Sequence, residues 1–462
     1  MEKTMLPEAF MKRMESLLGS DVEKFKSALE GDAVRGLRVN TLKCSVEDFL
    51  RETDMPLTKL EYSRDGFIYE SDAPVGRLAE HHSGRIYMQD PGAMAPLSAI
   101  EIPAGARVID LCAAPGGKSS QAAAMIGEGG FILSNEYVAK RAKTLVGNFE
   151  RLGIKNAIVT SLDTARLCEL FDSYFDVAIV DAPCSGEGMF RKCDAAEEEW
   201  SEENVEISAK RQREILGNAA RLVRSEGYLI YSTCTYAPEE NEMTLDAFLT
   251  SHPEFELLPL KEEIIKTTAP AIKFEGCRCE SIEYARRFYP HIARGEGQFL
   301  AVMKKTGEKD EARVLYKDTS RAPTKEESAA AAAFFKESLT SAPDAKLKKV
   351  GNNLVLISHG MPPIPQGSVF MSGVLLGEVQ KGRLIPSHQF FSAYGDLFKT
   401  RVELCDGDAR LSRYLLGEEI EYAGEGAGYC VLTYKGTSLG GGKISSGRIK
   451  NHYPKGLRNR AF

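Results

Sequence analysis

Short apolar runs, each closed by a turn signal or a helical stretch, recur through the middle of the chain and set the expected architecture. Arg107 to Leu111, Phe131 to Asn135, Ala157 to Thr160, Phe175 to Asp181, Gly227 to Ser232 and Gln298 to Met303 each read as a buried strand. Strand and helical patterns alternate, as in a doubly wound, mainly parallel α/β sheet. Before this block, to about Asp90, helical patterns precede a short strand-like run, Leu37 to Leu42. After it, Lys304 to about Lys349 is polar, with Thr324-x-x-Glu327 as a capping box that opens an alanine-rich helix. From about Val350, segments such as Leu354 to Ile357 and Tyr429 to Tyr434 sit between glycine-rich turns and predict a small β-rich accessory domain. The expected division is therefore 1–90, 91–305, 306–349 and 350–462.

Composition narrows the class. At 462 residues, 43% hydrophobic and 27% charged, the chain is long enough for two to four ordinary globular domains. Met1 to Glu8 lacks a basic stretch followed by an apolar core, and no run of about 18 apolar residues occurs, so a cytoplasmic protein without membrane contact is expected. Ten cysteines are too sparse for a disulfide framework. The nearest pair, Cys277-x-Cys279, has no zinc spacing, so free thiols and no metal are expected. The net charge of -7 argues against a nucleic-acid binder, but its distribution argues otherwise. From Val431 to Phe462, Lys435, Lys443, Arg448, Lys450, Lys455, Arg458 and Arg460 meet no acidic residue.

The turn Asp110-Leu111-Cys112-Ala113-Ala114-Pro115-Gly116-Gly117-Lys118-Ser119 follows a predicted strand and leads into a helix. Glycines there let the backbone approach a ligand, and the helix start offers unpaired N–H groups. Gly117-Lys118-Ser119 copies the end of a phosphate-binding loop, yet Cys112 stands where that motif needs glycine. Glu136 follows the next strand about 20 residues on, where open α/β sheets place the acid that holds ribose hydroxyls. Asp163 follows the third strand and Asp181 ends the fourth. Each acid alone also suits a helix cap or a solvated turn. Together with the glycine turn they point to a nucleoside cofactor, and a methionine-sulfonium nucleoside fits better than a dinucleotide because anchors for only one nucleoside are visible.

Asp181-Ala182-Pro183-Cys184-Ser185-Gly186 ends one strand and Ser232-Thr233-Cys234-Thr235 ends the next. If the strands are neighbours, both thiols project over the crevice. Carbon 5 of a pyrimidine is not nucleophilic until something adds across the C5–C6 bond, and a thiolate adding at C6 supplies that activation. Asp181 is placed to hydrogen-bond N3 or N4 of the base, a role for which burial would keep a shared proton on the carboxyl. The other eight cysteines read as packing. Spacing does not rank Cys184 against Cys234.

Leu37-Arg38-Val39-Asn40-Thr41, Asp110 to Ser119, Asp181 to Gly186, Ser232 to Thr235, and Arg287-Phe288-Tyr289-Pro290-His291 with Gly295-Glu296-Gly297 together resemble the Nol/Nop/Sun family of RNA cytosine-C5 methyltransferases. Within it the chain is most similar to the bacterial RsmF-type ribosomal RNA branch. The resemblance spans about residues 35 to 303, and the later segments are similar to that branch's PUA-like extension. It implies a Rossmann-like core dependent on S-adenosyl-L-methionine, an N-terminal α/β RNA-binding region and a C-terminal β-rich PUA-like domain. It also implies Cys234 as nucleophile and Cys184 as an aid to product release, beside Asp181, whose catalytic role rests on the chemistry of the base. Implied cofactor contacts are Cys112, Ala113, Ala114, Pro115, Gly116, Gly117, Lys118, Glu136, Asp163 and Asp181. The implied product is 5-methylcytosine in 16S rRNA or the small ribosomal subunit; the expected partner is RNA and not DNA, and a monomer is the default expectation.

For RNA contact, Gly436 to Lys443 and Lys450 to Arg458 combine basic side chains, glycine turns and a stackable Tyr453, a set suited to phosphates and folded RNA. A solvated basic tail is the plain alternative. His291 and Trp200 read as structural. Competing readings are a transfer-RNA cytosine-C5 enzyme, an exocyclic-amine methyltransferase and a non-catalytic ribosome-assembly factor. The amine reaction needs no thiol and usually shows an Asn/Asp-Pro-Pro-aromatic turn where Asp181-Ala182-Pro183-Cys184 stands.

Overall fold

The computed structural model describes residues 6–70, 74–127, 129–308 and 311–458; Arg460 of the basic tail lies outside them, as do Met1 to Met5. A ten-stranded sheet forms the centre. Five of its strands are parallel: β1 (Arg107–Asp110), β2 (Phe131–Asn135), β3 (Ala157–Thr160), β4 (Phe175–Asp181) and β5 (Val223–Thr233), in the order β5-β4-β1-β2-β3. The antiparallel strands β6 (Gln298–Lys305) and β7 (Val369–Ser372) pair with β5 and β3. The chain builds outward from β1 to β3, then crosses back to place β4 on the other side of β1. That reversal opens a crevice at the carboxyl ends of β1 and β4.

The continuous apolar runs are explained by burial on both faces. Val108, Ile132 and Val159 point to one side, against Ala122 and Ile126 of α1 (Gly117–Ile126) and Leu145 and Phe149 of α2 (Ala139–Leu152). Ile109, Leu133 and Ile158 point to the other, against Leu167 of α3 (Thr164–Leu170), Leu216 of α4 (Glu202–Leu222) and Leu245 of α5 (Glu242–Ser251).

The N-terminal region has helices Glu8–Leu18 and Val22–Glu30 and a four-stranded antiparallel sheet: Leu57–Lys59, Gly66–Tyr69, Gly36–Val39 and Ile86–Met88. Arg38, fully buried, docks this sheet on the core. Its Nη2 donates to Ser120 Oγ of α1 at 2.7 Å, and its Nη1 lies 3.4 Å from Asp65. Asn40 Nδ2 donates to the Leu152 carbonyl at the end of α2, at 3.0 Å. The first resembling motif is thus the seam between the two regions.

The C-terminal half departs from a single accessory domain. The capping-box helix runs Lys325–Ser338, with Thr324 and Glu327 both engaged. One four-stranded sheet follows (Lys346–Val350, Asn353–Ile357, Val374–Gln380, Arg383–Pro386), then helix His388–Tyr394 and a separate five-stranded sheet. Between the second and third strands of the first sheet the chain leaves to add β7 to the core, so a boundary at Val350 does not separate the two. The glycine-rich stretch 436–443 is also not a set of turns: Thr437–Ser445 is a strand. A side chain is excluded there because a Cβ on Gly441 would lie 2.2 Å from Phe391 Cδ1, and one on Gly442 2.3 Å from Ile449 Cγ2. Tyr453 is no stacking platform. It is buried, and its hydroxyl meets His82 Nδ1 at 2.8 Å. No described helix is long and apolar enough to cross a membrane.

Because Arg38 is a buried cation bonded to two regions, Arg38→Ala is expected to lower the unfolding free energy by about 3–5 kcal/mol, measured by denaturant titration.

Candidate active site

The glycine turn leaves β1 and enters α1 through Gly116, whose φ of +113° favours glycine. A Cβ on Gly116 would also press on Leu145 at 2.7 Å. Asp110, at the end of β1, accepts from Ser119 Oγ at 2.6 Å and from the Cys112 N–H at 3.3 Å, and so closes the turn on itself. Burial pushes its carboxyl up to about 7. The Ala113 N–H donates to the Asn135 carbonyl at 2.8 Å; the Ala114 and Pro115 carbonyls accept from Arg141 and Asn148, each at 2.9 Å. Burial opposes ionisation of the Cys112 thiol.

Glu136, directly after β2, is buried; it accepts the Val138 N–H at 3.0 Å and lies 3.4 Å from Arg141. Asp163 is exposed and serves as N-cap of α3 through the Ala165 N–H at 2.8 Å. The cap reading of that acid is therefore real. Asp181 differs from the buried, proton-sharing carboxyl expected. Its side chain is 36% exposed and makes an ion pair with Lys118 Nζ at 2.7 Å. Its other oxygen accepts from Ser232 Oγ at 2.8 Å, its register partner on β5.

That register decides where the thiols go. Cys184 and Cys234 each follow the end of a paired strand, and their sulfurs stand 3.2 Å apart. The distance is a thiol hydrogen bond, since a disulfide spans about 2.05 Å. The Cys184 thiol is held well above its ordinary range, first by its hydrogen bond with Cys234 and then by burial. Either thiol can donate in this pair. Ser185 Oγ and Thr235 Oγ1, 2.8 Å apart, repeat the same cross-link one residue on.

The sequence reading missed the layer behind the thiols. Glu239-Glu240-Asn241-Glu242 looks like a solvated acidic helix start, yet Glu240, Asn241 and Glu242 are fully buried. Asn241 accepts from Thr233 Oγ1 at 2.6 Å and donates to the Thr235 carbonyl at 2.9 Å. Glu242 forms a two-bonded pair with Arg287, at 2.6 and 2.5 Å. The polar run lies immediately past a candidate nucleophile, and that position was the only available signal. Gly295-Glu296-Gly297 is structural: a Cβ on Gly297 would lie 2.5 Å from the Tyr236 ring, and Glu296 pairs with Arg191 at 2.7 Å. Trp200 donates to buried Glu187 at 2.9 Å, and His291 packs edge-on against Phe25. Among the described residues no group of His, Cys, Asp and Glu gathers to hold a metal ion.

Solved structures that share this core include methyltransferases. A methyltransferase homologue from Pyrococcus horikoshii matches 65% of this chain and 95% of its own, with TM-score 0.58 and 29% identity. NSun6 from the same organism, solved with SFG, covers 65% of this chain and 99% of its own, with TM-score 0.56 and 21% identity. The class is a Rossmann-like methyltransferase. Family profiles match 16S rRNA methyltransferase RsmB/F at 98–304, the N-terminal domain of 16S rRNA methyltransferase RsmF at 6–91, the RsmF first C-terminal domain at 333–393 and the RsmF PUA domain at 401–459. Ribosomal RNA small subunit methyltransferase F of Klebsiella pneumoniae (strain 342) is 33% identical over 98% of this chain and 96% of its own length. The Vibrio vulnificus (strain YJ016) relative of the same name is 30% identical over 98% and 97%. The chain belongs to the RsmF-type branch of the Sun family of rRNA methyltransferases.

Gly188 tests the packing that seats Cys234, because a Cβ there would lie 2.7 Å from Gly297 Cα and 2.8 Å from the Cys234 carbonyl oxygen. Gly188→Ala is expected to cost about 1–3 kcal/mol in a denaturant titration.

Proposed function

We propose that this protein transfers a methyl group from S-adenosyl-L-methionine to C5 of a cytosine in 16S rRNA, through a covalent adduct between Cys234 and C6 of the base. The observation that carries the reading is the pair of free thiols 3.2 Å apart at neighbouring strand ends, beside the Asp181–Lys118 ion pair. Neither an amine methyltransferase nor a binding-only factor has a use for that pair.

The residues present suit the cofactor. Glu136 keeps acceptor capacity beyond its two partners, enough for ribose hydroxyls. The turn from Cys112 to Lys118 needs glycine at 116 and 117 because Leu145 and Gln89 crowd their Cβ positions, and Asp163 and Asp181 add negative charge for a cationic ligand. When bound, S-adenosyl-L-methionine supplies an electrophilic methyl group.

The target cytosine leaves its stack to reach the thiols. Cys234 adds as thiolate to C6, the C6–S bond forms, and the double-bond electrons move to C5, which takes the methyl. Asp181, ionised in its pair with Lys118, accepts from the N4 amino group of the base and orients it as the sulfur adds. Loss of the C5 proton to a base in the crevice restores the C5–C6 bond and expels the sulfur. Cys184, which keeps its own proton, hydrogen-bonds the departing Cys234 sulfur and speeds release.

RNA contact is assigned to the face of the five-stranded sheet on which Lys443 and Lys450 are register partners, with Arg448 two residues on. All three are exposed, while the alternate residues Ile444 and Ile449 enter the core. Removing this tail would destroy the domain, so substitution is the informative change. With Lys443→Gln, Arg448→Gln and Lys450→Gln together, RNA affinity should fall and the log K against log salt slope should flatten by about 0.7–0.9 per lost phosphate contact.

The decisive assay is transfer of labelled methyl from S-adenosyl-L-methionine to 16S rRNA and to small subunits, with nucleoside identification and bisulfite mapping. The expected product is 5-methylcytosine; an N-methylated base would return both thiols to packing. Cys234→Ala should abolish transfer while cofactor binding by calorimetry persists. Cys184→Ala should accumulate an RNA adduct that survives denaturant.

A further inference from the structure

Cys184 sits on a loop whose backbone is gripped on both sides. Gln212, fully buried on α4, donates through Nε2 to the Pro183 carbonyl at 3.0 Å. Glu240, fully buried after β5, accepts the Ser185 N–H at 3.1 and 3.3 Å. The same Gln212 Nε2 donates to Glu240 Oε2 at 2.7 Å, and Tyr231 of β5 bonds both, at 3.1 Å to Gln212 Oε1 and 2.5 Å to the Glu240 carbonyl. The peptide groups on either side of Cys184 are therefore tied to one Gln–Glu unit that is anchored to the strand leading to Cys234.

We propose that Gln212 and Glu240 are positioning residues that hold Cys184 in register with Cys234, so that product release depends on them and formation of the adduct does not. This rests on the reading of Cys234 as nucleophile and Cys184 as release partner. Neither residue touches a thiol; both act through the backbone of the loop. Their location explains the burial of a carboxylate in a run that reads as solvated. Charge contributes as well: burial pushes the Glu240 carboxyl up to about 7, and above that pH its charge opposes ionisation of Cys184. The titratable groups facing Cys184 are Cys234, Glu240 and Tyr231, with Glu187 acting on Glu240 from farther off.

The test compares wild type, Cys184→Ala, Gln212→Ala and Glu240→Gln for the fraction of enzyme bound to RNA through denaturant, and for single-turnover methyl transfer. Gln212→Ala and Glu240→Gln should slow release by about tenfold to a hundredfold, the range for a small misplacement of a reacting group, and raise the adduct accordingly. Methyl transfer into the adduct should stay at the wild-type rate. Wild-type adduct levels in both variants would overturn the clamp. If Cys184→Ala itself accumulates no adduct, the release role of Cys184 falls and the clamp with it, so that variant is measured first. Gln212→Glu, which keeps the size of the side chain, replaces Gln212→Ala if the latter unfolds. A second readout needs no turnover: alkylation of Cys184 by iodoacetamide across pH in Cys234→Ala, with and without Glu240→Gln. Loss of the Glu240 charge should shift that profile to lower pH, and an unmoved profile would overturn the electrostatic half of the proposal.

Discussion

The in-register parallel pairing of β4 with β5, with Ser232 opposite Asp181, is the constraint on which the site depends. Two parallel strands leave a sheet at the same edge, so whatever follows Asp181 and Ser232 must share one space. The side chains reinforce the register, Ser232 hydroxyl to Asp181 carboxylate, and the next residues inherit it. The thiol pair and the Ser185–Thr235 pair are consecutive cross-links between the same two loops. A register slip of one residue would turn alternate side chains to the opposite face and separate both.

Around this edge the molecule invests in buried charge. Glu187, Glu242, Arg287 and Arg38 are buried, and each has ionic or hydrogen-bonded partners from distant segments. Taking such groups from water costs several kcal/mol per ion, so pairs of this kind add little net stability. Their common feature is placement. Glu187 ties Arg13 of the N-terminal helix and Trp200 to the Tyr236 N–H beyond Cys234. Arg287 binds Glu242 and the Tyr236 carbonyl. Each bond loses energy steeply with misalignment, so the set penalises any other arrangement of the loops that carry the thiols.

The C-terminal half is attached to the same core by similar means. β7 extends the central sheet, and Arg85 of the N-terminal region donates to the Lys435 carbonyl at 2.8 Å. Lys435, counted from the sequence as free positive charge, pairs with Glu80 at 2.8 Å. The exposed basic surface is consequently smaller than the sequence suggests: Lys443, Arg448 and Lys450 lie on the last hairpin, Arg448 standing 3.7 Å from Glu419, and Lys455 follows beyond it.

Read alone, the chain determined the class of the core, because a strand buried on both faces must be apolar throughout and the parallel connection must alternate with helices. It also determined the candidate turn, acids and thiols, because glycine at a positive φ and cysteine at a strand end are properties of local sequence. What it left open was decided by packing between distant segments. Whether Asp163 caps or Asp181 is buried depends on neighbours, and Lys118 reached Asp181 from across the crevice. The glycine run at 440–442 became a strand because Phe391 and Ile449 occupy the space its side chains would need. The burial of Glu240 needed Gln212 from α4 and Ser185 from the loop after β4, far apart in the chain. Local pattern carries backbone preference and solvent exposure averaged over contexts; a hydrogen bond between segments dozens of residues apart exists only once the sheet has brought them together.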